Sequence, residues 1–80
     1  MRMDKFLKVS RLIKRRTVAA EACDAGRVFV GDKPVKAAYD VKVGDVIALR
    51  FGERTLRAEV LSVQETAGKD AAAQMYSVLD

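Results

Sequence analysis

The hydrophobic pattern of this 80-residue chain changes period at Gly26, and that change constrains its fold more than any other feature. Ahead of Gly26 the apolar residues recur at helical spacing. Phe6 and Leu7 sit among Lys5 and Lys8, which predicts a short amphipathic helix over Asp4–Val9; Leu12 and Ile13 then anchor a tight turn to the core. Val18, Ala19, Ala22 and Cys23 follow the i, i+1, i+4, i+5 pattern of one helix face, so a second helix is expected from Arg15 or Thr17 to Ala25. Gly26 suits the left-handed position that closes it.

Beyond Gly26 the period is two. Val28-Phe29-Val30, Gly31-Asp32 and Lys33-Pro34-Val35 read as a hairpin, with Pro34 confining the second arm to a sheet edge. Gly44-Asp45 and Gly52-Glu53 are further turn signals around Val46–Phe51, where Ile47, Leu49 and Phe51 share a face. Leu56, Ala58 and Val60 continue the alternation, while Leu61 and Val63 fall on the opposite phase, implying a bulge or burial on both faces. A third helix is expected over about 69–79, with Asp70 as its cap and Ala71, Met75, Val78 and Leu79 as its inner stripe. The fold class is therefore α+β. A basic helical pair (1–26) packs on a small twisted antiparallel sheet of four to five short strands (27–64), followed by a C-terminal helix, in a single domain over 1–80.

Charge is distributed as unevenly as period. Residues 1–16 hold seven cations and one anion, a net of +6, and the remaining 64 residues carry a net of −2. Such asymmetry points to a polyanionic partner. Arg2, Lys5 and Lys8, spaced by three, share one broad helix face. Arg11 lies in the turn, and Lys14-Arg15-Arg16 falls at the start of the second helix, where the partial positive charge of the helix end disfavours cations. A phosphate at that end relieves the conflict by accepting from free backbone N–H groups and from the arginines together. Asp4, the one acid in this field, either caps the first helix or orients Arg16 or Arg2 into a fixed fork. Thr17 either caps the second helix or donates to a phosphate. Phe6, Phe29 and Phe51 are assigned to packing, which leaves little support for stacking on bases.

Catalysis and metal chemistry have no foothold in the sequence. Histidine is absent, and the single cysteine, Cys23, sits on an apolar helix face with no base beside it. No metal site, cofactor or enzymatic activity is expected. One unpaired cysteine in a small domain fits a reducing, cytoplasmic setting, and the longest apolar run, Val46–Leu49, is far too short for a membrane span.

The strings Met1–Leu7, Ser10–Ala19, Gly26-Arg27-Val28, Val41–Ile47 and Met75-Tyr76 together resemble the S-four RNA-binding domain and its alpha-L motif, in which two helices on a small sheet meet RNA. The resemblance is strongest to the bacterial quality-control branch of that family. It implies an RNA-binding factor that binds large ribosomal subunits obstructed by peptidyl-tRNA and contacts tRNA and large-subunit rRNA. It also implies that the factor holds the P-site tRNA while a NEMF-type partner directs alanine tailing of the stalled chain. On the matching positions, Arg2, Asp4 and Arg16 would lie closest to RNA, supported by Lys5, Lys8, Arg11, Lys14, Arg15 and Thr17. A monomer without membrane contact is the corresponding expectation. The family's heat-shock branch, which recycles free large subunits bearing nascent chains, carries a basic C-terminal extension that does not follow Asp80 here. Many members have Asn-Gly where this chain has Gly31-Asp32. A basic module that meets an acidic protein is the competing reading from a different class.

Overall fold

Residues 1–79 are described by a computed structural model, in which helical and extended segments divide at Gly26 as the period predicts. Helices α1 (Met3–Val9) and α2 (Arg16–Asp24) precede strands β1 (Val28–Val30), β2 (Lys33–Pro34), β3 (Val46–Phe51) and β4 (Arg54–Val60). A short helix, α3 (Lys69–Ala73), and a last strand, β5 (Tyr76–Leu79), follow. The strands form one antiparallel sheet in the order β2-β1-β3-β4-β5. Pro34, which has no N–H to give a second neighbour, lies on an edge strand as expected.

The alternation places Val28, Ile47, Leu49, Ala58 and Val60 on the inner face. There they meet Met3, Phe6 and Leu7 of α1, Ala19 and Cys23 of α2, and the buried Met75. Ile13, also buried, fixes the turn between the helices to this core. Two tight turns set the register. Gly31 (φ +62°) and Gly52 (φ +61°) each open a two-residue loop, closed by the pairs Val30–Lys33 and Phe51–Arg54. Among the described non-glycine residues only Arg11 has a positive φ, so Asp32 and Glu53 do not, and a positive φ at the first loop position alone is what a II′ turn needs. The Gly31-Asp32 order thus builds the hairpin by a different turn from the Asn-Gly one.

Four expectations need correction. The C-terminal helix is present but ends at Ala73, and residues 76–79 extend as β5 instead of completing a helix to 79. Without β5, the outer edge of β4 would be left with unpaired backbone groups. Tyr76 and Val78, better suited to a strand than a helix, supply the ladder from Val60–Tyr76 to Arg57–Leu79. Ala72 and Met75 are accordingly the buried residues, whereas Val78 and Leu79 are exposed and the N-cap is Gly68, not Asp70. Phe51, at the end of β3, is 48% exposed because no helix reaches that end of the inner face. Val18 is likewise exposed, leaving Ala19 and Cys23 as the packed stripe of α2. The phase change at Leu61 is neither a bulge nor two-sided burial, since β4 stops at Val60 and Leu61 donates its N–H to the Met75 carbonyl (2.8 Å).

This packing makes the phenylalanines separable. Phe6→Ala is expected to cost about 3–5 kcal/mol, the range for emptying a fully packed aromatic site, and Phe51→Ala no more than about 1 kcal/mol. Urea unfolding of the two variants checks this, and equal losses would contradict the assignment of the core.

Candidate nucleic-acid interface

The start of α1 is held by the chain that returns over it. Met3 donates its N–H to the Tyr39 carbonyl (2.9 Å) and Asp4 to that of Ala37 (3.3 Å), while Arg2 bridges Asp40 through the backbone. Two first-turn N–H groups that a helix normally leaves free are thereby satisfied without a side-chain cap. The Asp4 side chain is released for another use.

That side chain is 6% exposed and accepts from three directions. Its Oδ1 takes the Lys5 N–H at 2.9 Å and Arg2 Nε at 3.1 Å, and its Oδ2 takes Arg16 Nε at 3.3 Å. Of the two alternatives for Asp4, the structure realises the second: Arg2 is the N-cap of α1 and no side chain caps that helix, while the Asp4 carboxylate, which also takes the Lys5 N–H, orients both arginines. Burial alone would push its pKa up, yet the hydrogen bonds from Arg2, Arg16 and the Lys5 amide outweigh it and hold the carboxyl below its ordinary 3.8. Arg2 is tethered through Nε and, at 3.5 Å, Nη2, and Arg16 through Nε; each side chain stays about half exposed (53% and 49%), so donors of both guanidinium groups remain free for a ligand.

Beside this clamp lies a groove of about 670 Å³ lined by Lys5, Lys8, Arg11, Lys14 and Arg16 on one side and Glu65, Thr66 and Ala67 on the other. Five of the nine candidate residues are thus gathered in one concavity. Arg2 joins them through Asp4, whereas Arg15 and Thr17 are exposed but do not line it. Arg15 is the N-cap of α2, in extended conformation; no side chain caps that helix end and no acid occupies its first turn. Thr17 is therefore not its cap. The conflict between the cations and the helix end persists in the folded chain.

Two features had no clear signal in the sequence. The wall at 65–67 lies outside every helix and strand, yet Glu65 reaches across to pair with Lys5, which lowers the pKa of Glu65. Arg11 adopts φ +65°, a left-handed conformation usually left to glycine. Its N–H donates to the Lys8 carbonyl (3.1 Å), turning the chain sharply out of α1 toward Lys14. Cys23, by contrast, is as inert as its position implies, since burial and the nearby charges of Asp4 and Asp24 push its thiol up to about 11.

Comparison with known proteins gives concordant results. Residues 1–47 match the model of the S4 domain. The RQC P-site tRNA stabilizing factor of Bacillus subtilis is 49% identical over 99% of this chain and 92% of its own length. The factor of the same name from Halalkalibacterium halodurans is 50% identical over 98% and 89%, respectively. Among solved structures, the trimeric Vibrio cholerae heat shock protein 15 superposes with a TM-score of 0.90 at 26% identity, covering 99% of this chain and 81% of that one.

Two predictions follow from the clamp and the turn. Because the Asp4 pKa is lowered on folding, its contribution to stability is complete well above 3.8 and is lost as the pH falls through 3.8 toward the lower folded value. Asp4→Asn should therefore flatten the acid limb of the stability curve, and unchanged acid sensitivity would contradict the pairing. At position 11, Arg11→Gly should keep stability within about 1 kcal/mol of the parent, whereas the β-branched Arg11→Val should lower it by about 1–2 kcal/mol. Thermal unfolding distinguishes the two substitutions.

Proposed function

The chain belongs to the S4 domain family, and we propose that it is a non-catalytic RNA-binding factor of bacterial ribosome-associated quality control. The observation that carries this reading is the buried Asp4 carboxylate, which aims Arg2 and Arg16 beside a groove lined by five cations. Arginines held by a carboxylate present planar donor edges of fixed geometry, an arrangement matched to phosphate.

In this proposal the groove lies against the backbones of tRNA and large-subunit rRNA, with Arg2, Asp4 and Arg16 at the centre. Lys5, Lys8, Arg11 and Lys14 neutralise further phosphates, and Arg15 and Thr17 meet the same backbone at the open end of α2. The protein acts as a monomer in the cytoplasm on large subunits obstructed by peptidyl-tRNA. It stabilises the P-site tRNA while a NEMF-type partner on the same subunit directs alanine tailing. The relatives at about half identity, which align over nearly their whole length, support this reading.

The likeness in fold to heat shock protein 15 favours a second reading, recycling of free large subunits. Alanine tailing separates the two, because only the first requires deletion of the protein to abolish tails on stalled chains. Binding to RNA itself is tested by salt. With about five phosphates neutralised, log affinity should fall against log salt with a slope of about −3 to −4. A slope near zero, or RNase-resistant attachment to an acidic protein, would instead support a protein-interaction module.

A further inference from the structure

The sheet face that points away from the helices is built unlike an ordinary solvated face. Phe29 on β1, Val46, Ala48 and Arg50 on β3, and Thr55 and Arg57 on β4 line an open concavity of about 490 Å³ together with Gly31 and Asp32 of the first hairpin turn, Asp32 being the one acid against two arginines. Phe29 pairs with Ala48, and Ala48 with Arg57. A small residue is therefore flanked by two large ones roughly 10 Å apart, at two strand spacings. The Arg50 guanidinium carbon lies 5.7 Å from the centre of the Phe29 ring, within cation–π range. Arg50 donates its N–H to the Arg27 carbonyl (2.9 Å), so the ladder also sets these two arginines side by side. Like charges across a ladder repel, and among the described residues none of Arg27, Arg50 and Arg57 is in an ion pair.

We propose that this face is a second RNA-binding surface, separate from the groove and suited to unpaired nucleotides. The cation groove fits a regular phosphate backbone, whereas the outer face offers flat groups on which a base can stack and arginines to hold the flanking phosphates. One nucleotide fits a concavity of this size, which falls within the range of about 300–1,000 Å³ typical of small-ligand sites. A polyglutamate peptide would satisfy the arginines, but its side chains carry no ring for the gap over Ala48.

The test uses the full chain carrying Lys8→Glu and Lys14→Glu, which disables the groove without disturbing Asp4, and a labelled, unstructured RNA octanucleotide read by fluorescence anisotropy at low salt. This chain is expected to keep measurable binding, and adding Arg50→Glu and Arg57→Glu should weaken it at least tenfold with unchanged urea unfolding. The gentler pair Arg50→Gln and Arg57→Gln should lower the salt slope by about 1–2. A polyglutamate peptide should not displace the RNA. Loss of all binding on disabling the groove, indifference to the sheet arginines, or equal displacement by polyglutamate would each overturn the proposal. Binding of the same variants to large subunits, measured in parallel, reports on the groove separately.

Discussion

A single buried carboxylate organises the charged end of this molecule. Asp4 lies where the first turn of α1 meets the core, with its own N–H taken by the Ala37 carbonyl and its oxygens shared among the Lys5 amide, Arg2 and Arg16. A buried charge is tolerable only when it is fully paired, and here the pairing partners are the arginines that define the site. Stability and site geometry thus depend on the same contacts. The carboxylate fixes the angle at which Arg16 leaves the start of α2 and so couples the two helices through residues twelve positions apart in sequence.

The rest of the fold serves to hold that arrangement. The inner sheet face gives Phe6 and Leu7 a surface to bury against, which fixes the rotation of α1 and places Lys5 and Lys8 outward beside Arg11 and Lys14. The 37–41 segment replaces a helix cap with backbone carbonyls, leaving Asp4 free to bind arginine. Arg11 accepts a strained backbone where a glycine would be at ease, and its guanidinium lines the groove as a result. Strain of this kind persists where the surrounding structure enforces it, and it clusters at functional sites.

Much of this was legible in the sequence because it rests on local patterning. The change of period at Gly26, the edge position of Pro34 and the clustering of cations before Thr17 each have a direct structural counterpart. What escaped depends on tertiary context. The unpaired edge of β4 recruits residues 76–79 as a strand, overriding a helical pattern of small and apolar residues at 71, 75, 78 and 79. Phe51 continues a valid alternation but lies past the reach of the helices, so its burial could not be read from phase alone. Phe29 sits on the outer face under Arg50, so neither aromatic belongs to the fully buried core as alternation implied. The role of Asp4 was visible only as a choice between cap and arginine partner, because a sequence does not show that the 37–41 segment returns over the start of α1 and takes the place of a cap.

The central claim, that Asp4 acts on RNA by aiming arginines, is most directly tested by a double-mutant cycle. Affinity for tRNA would be measured for the parent, Asp4→Asn, Arg16→Ala and the double variant. If the carboxylate works through the arginines, the double variant should lose less than the sum of the two single losses, the remainder reflecting Arg2, with a coupling energy of roughly 0.5–3 kcal/mol. Losses that simply add, with coupling near zero, would show that Asp4 and Arg16 act independently and would contradict the account.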